Sequence, residues 1–198
     1  MAHIEPLSDD QLPDQLKPVL EMARGRMGFV PNSMRTMAIW PELLGAFGPL
    51  AGTVIGSGEL ERGLKQMIAA VVSGAAGCRY CQAHTTHGAA HGGGVAEEKI
   101  ARVWEYQQSD LFSDAERAAL DLALAAGQVP NAANDAHFAE LKRHYSDRQI
   151  VEIVAVISMF GFLNRWNDTM ATALEEAPTA FAEATFAASD WEAGKHGA

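Results

Sequence analysis

The sequence predicts an all-α fold in a single domain spanning residues 1–198. Three observations carry that prediction. Alanine is abundant, the alternating apolar/polar runs that a half-buried strand needs are missing, and apolar residues recur at helical spacing along most of the chain. No linker, charge run or low-complexity segment divides the 198 residues. About eight helices follow.

Residues 14–26 place Leu16, Val19, Leu20 and Ala23 on one stripe. In MGFVPNS, Gly28, Pro31 and Asn32 make a loop, and Ser33 is positioned to cap a short helix up to Trp40. Pro41 suits the first turn of the next helix, whose Leu43, Leu44, Phe47 and Leu50 face one way. Gly45, Gly48 and Pro49 weaken it. The stretch from Glu59 to Ala76 is clearer. Leu64, Met67, Ile68, Val71, Val72 and Ala75 form a complete amphipathic stripe. Its other side is small (Ala69, Ala70, Ser73, Gly74), so a second helix can approach and bury this one on two sides. Gln66 lies on that second side, where an amide needs a partner.

Gly77 offers a break before CRYCQAHTTHGAAH, and Gly92 to Gly94 terminate the helix that follows. Residues 96–107 resume with Ile100, Val103 and Trp104. Ser113 with Glu116 is a capping box, and Gly127 and Pro130 end that helix. Residues 136–145 form another. Ser146 with Gln149 opens a nearly all-round apolar helix from Ile150 to Met159 or beyond. The tail from Glu175 reads as one more amphipathic segment with a polar end expected to fray. A weak internal echo appears when residues 62–81 are laid over 148–167. Arg62 then falls on Arg148, Gln66 on Glu152, and Cys78-Arg79-Tyr80-Cys81 on Asn164-Arg165-Trp166-Asn167, which suggests two similar helical hairpins as a pseudo-repeat.

Fifteen Lys and Arg stand against twenty-five Asp and Glu, a net charge of −10. That balance argues against nucleic acid or an anionic membrane as partner. The opening MAHIEPLSDDQLPDQ has no signal-peptide apolar run, and the apolar stretch Ile153 to Leu163 is too short to span a bilayer. A soluble cytoplasmic protein is expected. Its exposed apolar helix faces imply a homo-oligomer.

Only two cysteines occur, Cys78 and Cys81, which excludes a disulfide-stapled scaffold and leaves a redox pair or a metal site. On a helix their Cβ atoms stand roughly 5–6 Å apart, close to what a disulfide requires. Near a helix start the dipole lowers a thiol pKa, which favours Cys78 as the more acidic of the two. His84 shares the Cys81 face and can move a proton. His87 and His91 are either partners of the site or solvent-facing. Tyr80 is a packing residue or a proton donor. Cys78, Cys81, His84 and His87 or His91 could offer zinc four ligands, but from one helix the geometry is strained. No metal and no other cofactor is expected. A zinc-binding or thiol redox-sensor module is the alternative.

An apolar helix ending in Ser73, then CRYC, then a nearby histidine, resembles the AhpD-like alkylhydroperoxidase branch of the carboxymuconolactone decarboxylase family. MGFVPNSMRTM, IAAVVSGAAGCRYCQAH, SDAERAALDLAL and FGFLNRWNDTM resemble its "peroxidase-related" members and together cover most of residues 27–170. The resemblance implies an all-helical fold, a trimer or hexamer, and a thiol peroxidase that cycles between dithiol and disulfide. Cys81 would attack a small hydroperoxide and Cys78 would resolve the sulfenic acid. An external dithiol reductant would restore the pair.

Two positions depart from the alkylhydroperoxidases. Their glutamate twelve residues before the first cysteine is Gln66 here, which cannot take up a proton. Their relay histidine falls at Thr85, with His84 one residue earlier. Another acid must then support His84 if one does, and the echo nominates Glu152. A decarboxylase-type activity of the wider family needs acid/base groups that Gln66 does not provide, and that branch typically lacks the C-x-x-C pair.

Overall fold

Ten α-helices form in the computed structural model, which describes residues 2–189 and 191–197. They are α1 Lys17–Met27, α2 Asn32–Met37, α3 Pro41–Gly56, α4 Arg62–Ala75, α5 Arg79–His91, α6 Glu97–Ala101, α7 Asp114–Ala126, α8 Asp135–His144, α9 Asp147–Met170 and α10 Glu176–Thr185. No strand occurs among the described residues. Local chemistry sets several boundaries as expected. The Ser113 hydroxyl accepts from the Glu116 amide at 3.2 Å while the Glu116 carboxylate accepts from the Ser113 amide at 2.9 Å. Ser146 and Gln149 repeat this reciprocal pairing at the start of α9.

Other boundaries differ, and packing explains why. Pro31, not Ser33, precedes α2, and the Ser33 amide instead donates to the Tyr80 hydroxyl at 3.2 Å. Helix α3 runs on through its glycines and Pro49 to Gly56. Gly48 is needed there because a Cβ would stand 2.2 Å from a Val19 methyl where α1 crosses. The predicted 96–107 helix splits into α6 and a 3-10 turn at Val103–Glu105. Trp104 then lies across Gly74, whose Cβ would meet the ring at 2.7 Å, and 5.7 Å from the Phe186 ring. At Gly74 the small side of α4 is therefore filled by an indole.

Helix α4 packs against α5, α7 and α9, and from Lys65 to Ser73 every residue is buried. Lys65 ion-pairs Glu152 at 3.0 Å and donates to the carbonyls of Val54 and Ser57. Glu152 also holds Arg148 at 3.0 Å and accepts the amides of Glu59 and Leu60. Glu152 is thus no proton acceptor for His84. Its oxygens clamp α9 to the turn between α3 and α4, and the role suggested by the echo is corrected. The echo fails at the turn itself: Gly77 breaks the first copy, whereas α9 runs unbroken through Asn164 to Asn167.

Asp147–Met170 is long and apolar enough to cross a membrane by length and composition. In the fold it packs on α3, α4 and α5 and carries the ion-paired Glu152. The described part of the C-terminal tail packs on the helices, while residues 190 and 198 lie outside the described residues. His196 and Trp191 are buried, the Trp191 indole donates to Gln82 at 3.0 Å, and the Leu174 amide donates to the His196 carbonyl at 2.8 Å. The tail is a strap across the start of α5.

Candidate active site

The chain reverses between α4 and α5 at Gly77, whose φ of +74° is a conformation that glycine adopts without strain. That turn puts Cys78 at the N-cap of α5 and Cys81 one turn in. Both thiols are buried and unbridged, but they face different surroundings. Cys81 lines a cavity of about 220 Å³ enclosed by α1, α2, α3, α4, α5 and α9, and Cys78 does not. The cavity walls are mostly apolar, with Met34, Phe47, Phe160 and Leu163 among them. The Asn167 amide donates to Cys81 Sγ at 3.4 Å, and Thr85 donates to the Cys81 carbonyl at 2.7 Å.

The two thiols titrate apart. The Cys81 thiol donating to it, aided by His196, lowers Cys78 to about 6 despite its burial. Burial, then the neighbouring Cys78 thiolate, pushes Cys81 well up. The helix-start expectation that Cys78 is the more acidic member therefore matches its surroundings. Access favours the other member.

His84, also on the cavity wall, has a carboxylate partner after all. Glu175, the residue preceding α10, stands 2.6 Å from His84 Nε2. The same carboxylate accepts from the Tyr80 hydroxyl at 3.0 Å and from the Asn32 amide. Burial works to raise Glu175, but the His84 charge and the hydrogen bonds from His84 and the Asn32 backbone amide outweigh it and leave it below its ordinary value. Tyr80 goes the other way. Burial and the Glu175 charge push its pKa well up, so it stays a hydrogen-bond donor. Its ring stacks on His84 at 4.3 Å and fixes the imidazole.

Behind the pair sits His196, brought in by the strap. Its Nδ1 donates to the Thr172 carbonyl at 2.8 Å, and Asp168 lies 3.6 Å from its Nε2. Nε2 has no well-aligned partner and faces the Cys78 thiol, an interaction that with the Thr172 bond outweighs burial and raises the imidazole pKa.

The carboxymuconolactone decarboxylase family profile matches residues 41–125, from α3 through most of α7. The debrominase Bmp8 superposes with a TM-score of 0.85 at 39% identity, over 92% of this chain and 97% of that one. The chain belongs to the AhpD-like carboxymuconolactone decarboxylase family. A cysteine-to-alanine variant of Bmp8 in complex with 2,3,4-tribromopyrrole superposes equally well, at 0.86. An AhpD-core, peroxidase-related protein of Ralstonia eutropha JMP134 is 26% identical, with a TM-score of 0.77 over 89% of this chain and 94% of that one. The uncharacterized protein YnjA of Escherichia coli K12 is 30% identical over 111 residues, 56% of this chain and 60% of the relative.

In this AhpD-like chain the fold brings Cys81, His84, Tyr80, Thr85, His87 and Gln66 to one cavity, and it sends Glu152 to a structural clamp. Burial, then the His91 and His84 charges, press His87 down to about 4, so it faces the cavity neutral. Among the described residues no three His, Cys, Asp or Glu side chains are grouped so as to hold a metal ion. Sequence reasoning missed Glu175, His196 and Asn167. One signal pointed to Glu175: Gln66 in place of a glutamate left His84 without a carboxylate nearby in sequence.

Proposed function

We propose that this protein removes a halogen reductively from a small halogenated aromatic, with Cys78 and Cys81 supplying the two electrons. One observation carries the reading. Of the two thiols only Cys81 opens on the apolar cavity, beside the His84–Glu175 proton carrier and in front of an acidic second thiol. The 39% likeness to a debrominase along nearly the whole chain supports the substrate class.

The chemistry balances as follows. Cys81 gives its proton to the Cys78 side, where His196 can hold it. Its thiolate attacks the halogen, an S–Br bond forms, and the C–Br electron pair stays on the ring carbon, which takes a proton from the His84 side. The Cys78 thiolate then attacks Cys81 Sγ, the disulfide forms and bromide leaves. In sum, one aryl bromide and one dithiol become the arene, one disulfide, bromide and a proton. An external dithiol reopens the disulfide by exchange.

A second reading, hydroperoxide reduction, uses the same pair and is supported by the 26% identical peroxidase-related protein. There the Cys81 thiolate attacks the distal oxygen, the O–O bond breaks and the alcohol leaves after protonation; the resulting sulfenic acid loses water as Cys78 closes the disulfide. A single experiment separates the two. The fully reduced protein is mixed with 2,3,4-tribromopyrrole or with cumene hydroperoxide, and thiols, bromide and organic product are counted. The expected result is two thiols lost and one bromide released per chain with the bromopyrrole, faster than with the peroxide. Thiol loss with peroxide alone would transfer the proposal to the peroxidase reading. Thiol loss with neither would overturn both.

Glu175→Gln is expected to lower kcat about 100-fold, the low end of what a positioned acid/base contributes, with KM changed less. Steady-state bromide release checks it, and a change under threefold would remove the His84–Glu175 pair from the mechanism. Self-association is part of the same proposal. Trp40, Leu50, Val151 and Phe162 are large, apolar and exposed, and light scattering is expected to give a trimer or hexamer.

A further inference from the structure

One end of the cavity is polar, and two of its polar side chains, Arg62 and Gln66, lack protein partners among the described residues. Gln66 is nine-tenths buried on α4 and lines the cavity, yet its amide makes no hydrogen bond among the described residues. It lies flat against Gly88, where a Cβ would stand 3.2 Å from the amide atoms. Arg62, one turn earlier, lines the same end with its guanidinium against Gly92, where a Cβ would stand 3.1 Å from Nη2. Arg62 Nε is buried without a partner, and no ion pair holds the side chain among the described residues. Gly88 on α5 and Gly92 at its C-terminal cap, one turn apart, make the room that Gln66 and Arg62, one turn apart on α4, occupy.

The charge around this end is unusual for the chain. The protein carries a net charge of −10, yet among the described residues no Asp or Glu side chain lines the cavity. His87, held neutral, adds no charge of its own. A half-buried guanidinium whose Nε–H is buried without a partner, beside a buried free amide, costs stability unless something pairs with them. A carboxylate matches both, because a guanidinium meets it through two parallel hydrogen bonds. Arg26 also lines the cavity but is exposed, so Arg62 is the one half-buried arginine of the lining, and a single half-buried arginine balances a monoanion.

We infer that the substrate carries a carboxylate, bound by Arg62 with Gln66 donating an amide hydrogen bond, while its apolar ring extends toward Cys81. The substrate class narrows from small halogenated aromatics to small halogenated aromatic acids. This inference rests on the dithiol reading above for the ring's reaction, but binding can be tested without turnover.

The full-length reduced protein is titrated by calorimetry with pyrrole-2-carboxylate and with pyrrole-2-carboxamide, flat probes of equal size with no halogen to lose. The acid is expected to bind at least about tenfold more tightly, the usual scale of a charged hydrogen-bonded pair. Arg62→Met is expected to bring the two probes to parity with the amide unchanged. Raising salt is expected to weaken the acid alone. If Arg62→Met does not fold, Gln66→Leu serves, with a severalfold loss for the acid. Equal affinities, no binding of either probe, a preference that survives Arg62→Met, or salt-insensitive acid binding would each overturn the inference. Bromide release from tribromopyrrole with no acid preference would leave the dithiol reaction standing. The reverse pattern would remove the reaction and keep the carboxylate end.

Discussion

A Cys81→Ser variant is expected to lose turnover at least about 10³-fold, whereas Cys78→Ser keeps a single event per chain. The asymmetry comes from access set against acidity. Cys78 is the more acidic thiol, lowered to about 6, but it lies behind the cavity wall. Cys81 reaches the cavity, and burial together with the Cys78 thiolate keeps its proton on. A thiol of higher pKa is the better nucleophile once deprotonated, so in the proposed reaction the pair would divide the work, with Cys78 storing the negative charge and Cys81 delivering it. In the Cys78→Ser variant the first step is expected to be slower but to proceed, with His196 taking the Cys81 proton in place of Cys78. Water then hydrolyses the S–Br bond to a sulfenic acid and bromide, and turnover stops at one bromide and one trappable sulfenic acid per chain. In the Cys81→Ser variant neither is produced. If the roles were reversed, the single event would appear in Cys81→Ser instead. The first step in the unaltered protein is expected to slow as pH falls through about 6, because a protonated Cys78 cannot accept the Cys81 proton. Rapid-quench bromide measurements from pH 5 to 8 check this.

Local chemistry made most of the helices and one half of the site legible. The stripe from Leu64 to Ala75, the two serine capping boxes and the glycine break before Cys78 all act within a few residues, and each appears where the pattern puts it. The family likeness rested on CRYC and its flanks, which are also local. The partners of the thiols and of His84 are not. Glu175 lies 91 residues from His84, and His196 reaches Cys78 across a longer interval from a tail whose polarity reads as fraying. No periodicity can pair such residues. Only the closing of α10 and the strap against α5 brings them in.

Glu152 failed for the opposite reason. Overlaying α9 on α4 and α5 supplied a long-range partner from a one-dimensional match. The match breaks because α9 has no glycine where the first copy turns. Lys65 was invisible to the stripe as well, since a lysine on a helix is normally solvent-facing. Here it is almost wholly buried, and its carboxylate comes from a helix that the periodicity leaves unassigned to any partner. Asn167 lies in the same blind spot. The echo laid it on Cys81, and in the fold its amide does bond that thiol, although not through a repeated hairpin.

Glu152→Ala is expected to destabilise the protein by about 3–5 kcal/mol, the usual cost of removing one partner from a buried ion pair. The side chains of Lys65 and Glu152 are 1% and 9% exposed and stand 3.0 Å apart. Alanine would leave the Lys65 ammonium buried without a counter-charge and strip the Glu59 and Leu60 amides of their acceptor. Removing both charges leaves no orphaned ion. A Lys65→Met, Glu152→Leu double variant is therefore expected to recover most of the loss, and denaturant unfolding of the single and double variants checks it. A cost below about 1 kcal/mol for Glu152→Ala would mean that water reaches the pair. The acid limb of stability follows from the same carboxylate. Burial would raise it, but the Glu59 amide, Lys65 and Arg148 outweigh that and hold it at about 2, against an ordinary 4.5. A depressed carboxyl pKa contributes fully above the unfolded value and is lost as pH falls through the folded one. Unfolding midpoints are then expected to hold down to about pH 5 and to decline from there toward pH 2. Glu152→Gln should be less stable than the parent at neutral pH and show a shallower acid decline. Because Arg62 and Gln66 sit on the same helix as Lys65, loosening this clamp shifts the cavity's polar wall. The Glu152 variants should thus lose substrate affinity in proportion to their instability, while the pKa of Cys78, set by Cys81 and His196, stays where it was.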